Sequence, residues 1–182
     1  MARPADPTAR DRILSTATTL FYSHGVRAVG MSRVIEAAGC GKNLLYRHFP
    51  SKAALTAAYL EHIRTDRDRT AAAALSACPP DPASRLVTVV AEVASRTRRR
   101  DFRGCAFRNY LTEFPAGSDE PARVARRYLA DTRRQVDDLV AELGRPPLLA
   151  DRLWLLIGAL YAGTGTDPDV AVDWCRDLVG EG

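Results

Sequence analysis

Apolar residues recur at three- and four-residue steps through most of this chain, and that spacing predicts helices from end to end. Ile13, Leu14, Ala17, Leu20 and Phe21 share one face of a first helix. Thr8 and Asp11 have the spacing of a capping box before it, and His24-Gly25 supplies its stop. Ser32 is a good N-cap for a short second helix whose apolar side is Val34, Ile35 and Ala38. Gly39-Cys40-Gly41 then reads as a tight turn, small enough for the next helix to cross closely, as a helix-turn-helix requires. The third helix starts near Lys42. Leu45 and Phe49 lie four apart and pack inward, so Lys42, Asn43, Leu44 and Arg47 face outward with Tyr46 and His48 on the flanks. Pro50 ends it. Ser51 caps a fourth helix with Lys52 in its first turn, where free amides and a cation together make a phosphate site.

The same periodicity carries on. The fourth helix runs from about Ser51 to Ser76, with Leu55, Tyr59 and Ile63 along a face, until Cys78-Pro79-Pro80-Asp81-Pro82 breaks it. A fifth spans about Ala83 to Thr97, with Leu86, Val90 and Val93 inward. Another runs through Tyr110, Leu111 and Phe114 to Pro115. A long one from about Pro121 to Leu143 carries Val124, Tyr128, Thr132, Val136, Leu139 and Leu143. The next, about Leu148 to Ala162, is apolar nearly all round, with Leu153, Trp154, Ile157, Leu160 and Tyr161 among its residues. Such a helix must be buried on most sides, and in a small chain a second subunit is a ready cover. Gly158-Ala159 would let a symmetry mate approach closely; the alternative is burial within one chain. A last helix covers about Asp167 to Val179. The fold class expected is all-α.

Charge sharpens this picture through its distribution. The net charge of +4 divides into 8 Lys/Arg against 3 Asp/Glu over residues 1–60, a balance of +5. Residues 61–182 hold 18 against 19, a balance of −1. The excess positive charge falls on the helix-turn-helix, as expected of a segment that meets nucleic acid; an ordinary solvated basic surface is the alternative. Residues 1–7 read as an arm with a frayed end, whose Arg3 and nearby Arg10 could also reach DNA. Cys40, Cys78, Cys105 and Cys175 form no CxxC pair, so no zinc site is expected. No signal peptide and no apolar run of about 18 residues is present, and a cytoplasmic location with reduced thiols is expected. An enzyme would need a nucleophile and a base. His24, His48 and His62 all lie in the first third, beside no glycine-rich nucleophile turn and no metal-spaced cluster. No catalytic residue, metal or cofactor is therefore assigned.

Val34-Ile35-Glu36-Ala37-Ala38-Gly39 and Leu45-Tyr46-Arg47-His48-Phe49-Pro50-Ser51-Lys52, after an initial helix ending in Phe21 and Gly25, resemble the TetR family of bacterial one-component repressors. The resemblance covers about Arg12 to Leu55. It implies a homodimer with a helix-turn-helix DNA-binding domain at residues 1–50 and an effector-binding and dimerisation domain at 51–182. It implies backbone contacts from Tyr46, His48 and Lys52, and from Ser32 and Arg33 at the second helix, with Lys42, Asn43 and Leu44 nearest the bases; Arg47, outward by its spacing, is a further candidate DNA contact. The family often has valine-serine where this chain has Cys40-Gly41, and a pair of small residues in place of Asn43-Leu44. Leu44 cannot hydrogen-bond a base but can touch a thymine methyl.

Phe102-Arg103-Gly104-Cys105-Ala106-Phe107-Arg108-Asn109 looks like a phrase of one TetR subgroup, in which the glycine-cysteine opens a helix beside the ligand cavity. The aromatic density there makes Tyr59, Phe102, Phe107, Tyr110, Phe114 and Trp154 candidate walls of a small-molecule pocket. Cys105 joins them, with Asn109 and Glu113 as polar contacts; the plainer alternative is an aromatic core. Tyr128, Thr132, Val136, Leu139, Leu153, Ile157, Leu160 and Tyr161 are the candidate dimer seam, in a two-fold four-helix bundle. The function expected is a repressor released from a palindromic operator by a small, mainly apolar effector, with no membrane partner. The alternatives are a hydrolytic enzyme, and a helical ligand-binding or scaffolding protein without DNA binding.

Overall fold

The computed structural model describes residues 7–163 and 165–180. Arg3 of the expected N-terminal arm lies outside them. Among the described residues every regular element is an α-helix: α1 (Pro7–His24), α2 (Met31–Ala37), α3 (Lys42–His48), α4 (Lys52–Ala77), α5 (Pro82–Thr97), α6 (Ala106–Glu113), α7 (Glu120–Glu142), α8 (Pro147–Ala162) and α9 (Asp169–Gly180). The all-α expectation holds.

Helix ends follow local chemistry, with two corrections. α1 begins at Pro7, which has no amide hydrogen to leave unpaired, so Thr8 sits inside the first turn. α2 begins at Met31 after an extended Gly30, so Ser32 lies in its first turn and makes no cap bond. Ser51 does cap: its hydroxyl accepts from the Ala54 amide at 3.0 Å. The Asp81 carboxylate accepts from the Ser84 amide at 2.8 Å, and those bonds hold its pKa below the usual carboxylate value.

The residues group into two compact units. Among the described residues, one holds those up to Arg64 together with Ala106–Arg127; the other holds Thr65–Cys105 together with those from Tyr128 onward. α4 and α7 contribute to both. The first unit is built on Ile13, Leu14, Ala17, Phe21, Val29, Val34, Leu45, Phe49 and Leu55, all buried. Phe21 meets Tyr59 edge-on, with ring centroids 5.7 Å apart. Arg12 Nε donates to the carbonyl of Ala38 at 3.2 Å and so ties α1 to the end of α2.

The second unit has a continuous apolar core. α5 supplies Leu86, Val90 and Val93, α7 supplies Val136, Leu139 and Val140, α8 supplies Leu149, Leu153 and Ile157, and α9 supplies Val172 and Cys175. Burial pushes the Cys175 thiol up to about 12, so it stays protonated and acts as a small apolar group. Arg133 bridges Asp137 at 2.9 Å and Asp151 at 2.7 Å, joining α7 to α8 at the surface. Leu153 is 1 % exposed within this core. Its replacement by alanine should cost about 2–5 kcal/mol in urea unfolding. A loss below about 0.5 kcal/mol, the range of surface substitutions, would mean that α8 does not pack as described.

Candidate nucleic-acid interface

The α2–α3 turn sets the crossing of the two short helices. Gly39 stands at φ +57°, the left-handed conformation. It lets the Gly39 amide reach the Glu36 carbonyl at 3.1 Å and the Cys40 amide reach that of Ile35 at 3.2 Å, which closes the end of α2. Gly41 then precedes α3 in extended conformation, with no side-chain cap. α3 is held from one side: Leu45 and Phe49 are buried, and the Arg10 guanidinium lies over the Phe49 ring at 5.3 Å. Lys42, Asn43, Tyr46 and Arg47 are exposed on the other side, and Leu44 is half-buried. One face of α3 thus carries two cations, an amide and a phenol into solvent.

The flanking candidates differ among themselves. Ser32 and Arg33 are exposed at the start of α2. The Arg33 guanidinium donates to His24 Nε2 at 3.1 Å, which requires that nitrogen to be deprotonated. His48 is half-buried, and its Nε2 is shielded with no hydrogen-bond partner among the described residues. Lys52 is half-buried, and its Nζ donates to the carbonyl of Arg27 at 3.4 Å. Burial lowers its pKa, against the opposing pull of the Glu113 carboxylate. Arg27 was not foreseen from the sequence. It lies between Gly25 and Gly30 in the turn joining α1 to α2, and no periodicity marks such a residue.

The candidate effector residues are distributed over both units. In the first unit, Phe107 is fully buried and Tyr59 packs on Phe21. Tyr110 and Phe114 rings lie 4.9 Å apart, and the Tyr110 hydroxyl donates to the Asp119 carboxylate at 2.9 Å. Burial, then that bond and its negative charge, raise the Tyr110 pKa above the usual phenol value. Asn109 is half-buried; Glu113 turns to the α1–α2 turn instead. In the second unit, Phe102 stacks on Tyr161 at 6.3 Å and Trp154 packs on the apolar core. Cys105 is buried and accepts from Arg67 Nη1 at 3.5 Å. The Arg67 guanidinium lies 5.6 Å from the Tyr128 ring centre and 5.9 Å from that of Tyr161. Burial opposes its charge, but Cys105, Tyr161 and Tyr128 outweigh that and raise its pKa. Burial likewise pushes Tyr161 up to about 12, and Arg96 donates to its hydroxyl at 3.3 Å. Arg67 was not singled out in the sequence because it stands in a charged run, Arg64 to Arg69, that reads as solvated surface.

The candidate dimer residues are also divided. Val136, Leu139, Leu153 and Ile157 are buried in their own chain's core, so they have almost no surface left to give a partner. Tyr128 and Tyr161 sit around Arg67, Thr132 bonds back to the Tyr128 carbonyl at 2.9 Å, and Leu160 packs on the core. The apolar side chains left exposed are others. Leu148 and Leu155 lie seven residues apart on α8, and Val170 and Trp174 four apart on α9, with exposures of 57 %, 73 %, 53 % and 58 %.

Comparison with known proteins bears on this arrangement directly. Residues 13–59 match the family model for bacterial regulatory proteins of the tetR family. An uncharacterized HTH-type transcriptional regulator of Mycobacterium tuberculosis is 38 % identical over 82 residues, 45 % of this chain and 40 % of that protein. The chain thus spans well under half the length of that relative. The likeness to solved structures extends further. A TetR-family transcriptional regulator from Streptomyces coelicolor is 30 % identical, with 94 % of this chain and 92 % of that one covered and a TM-score of 0.84. A putative tetR-transcriptional regulator from Streptomyces avermitilis is also 30 % identical, with 94 % and 96 % covered and a TM-score of 0.75. With identity and fold both matched over nearly the whole length, and the helix-turn-helix at the expected residues, the chain belongs to the TetR family of transcriptional regulators.

Proposed function

We propose that this protein is a dimeric repressor that binds a palindromic DNA operator and leaves it when a small, mainly apolar effector binds. The observation that carries the DNA reading is the one-sided burial of α3. Leu45 and Phe49 anchor it, and Lys42, Asn43, Tyr46 and Arg47 stand in solvent on the opposite side. A helix presented in this way fits a major groove, with Lys42, Asn43 and Leu44 toward base edges. Tyr46 and Lys52, with Ser32 and Arg33, would hold phosphates on either side. His48 belongs to the same set by resemblance, although its shielded ring nitrogen would have to turn out to reach a phosphate.

The dimer reading is supported by the exposed apolar pairs of α8 and α9. Leu148, Leu155, Val170 and Trp174 are too large and too apolar to be left in water without cost, and a second copy of the same surface would cover them. These four replace the buried residues of α7 and α8 as the centre of the seam. For the effector, the rings of Tyr128 and Tyr161 beside Arg67, with Phe102 stacked on Tyr161, favour an apolar ligand. Such a ligand must bind the two conformations of the dimer with different affinity, or it shifts nothing.

A gel-shift with the region upstream of the gene, over a salt series, should give a site-specific band that weakens steeply as salt rises. Absence of any such band would contradict the repressor reading. Replacing Tyr46 and Lys52 by alanine should weaken binding to all duplexes alike and reduce the salt slope by about one per lost phosphate contact. In light scattering at micromolar concentration the chain should have the mass of two copies, and Leu155→Glu with Trp174→Glu should reduce it to one. A monomer before any substitution would contradict the dimer.

A further inference from the structure

The carboxylate of Glu113, at the end of α6, is seated against the α1–α2 turn. Its Oε1 accepts from the Val26 amide at 3.2 Å and its Oε2 from the Arg27 amide at 2.6 Å. Arg27 answers twice: its guanidinium donates to the Glu113 carbonyl oxygen and lies over the Phe114 ring at 5.0 Å. Gly25 stands at φ +83°, where a Cβ would come within 3.0 Å of Glu113 Oε1. The turn therefore leaves room for that carboxylate and for little else. On its other side, the Arg27 carbonyl accepts from Lys52 Nζ at 3.4 Å. Arg27 thus gives its N–H to Glu113 and its C=O to Lys52.

We propose that Glu113 is a positioning residue for DNA binding, holding the Arg27 segment where its carbonyl orients Lys52 toward a phosphate. This rests on the reading of Lys52 as a phosphate contact. Sequence position hides the link, since 86 residues separate Arg27 from Glu113. A carboxylate bonded to two backbone amides is a strong, charge-assisted clamp. Its effect on DNA affinity has a sign that distinguishes it from simple electrostatics. Glu113 is an anion near a cationic surface, so by Coulomb attraction alone its removal would tighten DNA binding. A positioning role gives the opposite result, because the released turn lets Lys52 wander.

The test is a double-mutant cycle on the full chain, with a mixed-sequence DNA duplex as probe and fluorescence anisotropy as readout. Glu113→Gln keeps the side chain's volume and one acceptor; Glu113→Ala removes both, and circular dichroism checks that each variant is folded. Should the alanine variant not fold, the glutamine variant carries the test. Glu113→Gln should weaken binding about three- to tenfold, and the same change in a Lys52→Ala background should have an effect below about twofold. Tighter or unchanged binding by Glu113→Gln would overturn the proposal, as would an equal loss in both backgrounds, which marks a general structural role. Lys52→Ala with no loss of affinity would overturn the phosphate reading itself, and the positioning role with it.

Discussion

A helix of seven residues is not stable in water by itself, because nucleation costs more than so few hydrogen bonds return. α3 has that length. Its existence and direction therefore depend on burying Leu45 and Phe49 in the first unit. That burial also decides what α3 offers to solvent. Two inward residues four apart leave Lys42, Asn43, Tyr46 and Arg47 outward, so the anchor and the exposed face are one fact seen from two sides. Each neighbouring feature serves this placement: the left-handed Gly39, the Arg12 bond to the Ala38 carbonyl, and the Ser51 cap that restarts the chain beyond Pro50.

The helices were legible in the sequence because their signals are local. Gly25, Gly39 and the proline run from Pro79 to Pro82 punctuate the chain, and observed ends lie within a residue or two of those expected. Caps were less legible. Ser32 has the right chemistry for an N-cap, yet Gly30 holds the place, since extended backbone suffices there. α8 shows the sharper limit. In a helix apolar on nearly every side, nothing in the pattern separates Leu153, 1 % exposed, from Leu155, 73 % exposed. Which face turns inward is decided by α5, α7 and α9, and tertiary packing of that kind leaves no periodic trace.

The candidate site divides in the same way. The exposed set on α3 could be read from the spacing of its anchors. The Glu113–Arg27 pair could not, because it joins a helix end to a turn far away in the chain. Nor could the surroundings of Arg67, whose neighbours in sequence are charged while those in space are Cys105, Tyr128 and Tyr161. Aromatic residues grouped in the sequence as one pocket have distinct neighbours: Tyr59 with Phe21, Phe114 with Arg27, Phe102 with Tyr161. Helical spacing places a side chain on a face but does not say what meets that face.

The central claim is that two copies of α3 read one stretch of DNA together. Footprinting of the protein on the region upstream of its gene measures this most directly. The account predicts two protected half-sites of inverted sequence on one side of the duplex, with centres about 10 base pairs or a multiple of that apart. Protection should be lost when Leu45→Ala and Phe49→Ala together release α3 from its anchor. A single unpaired half-site, or protection that survives the loss of both anchors, would contradict it.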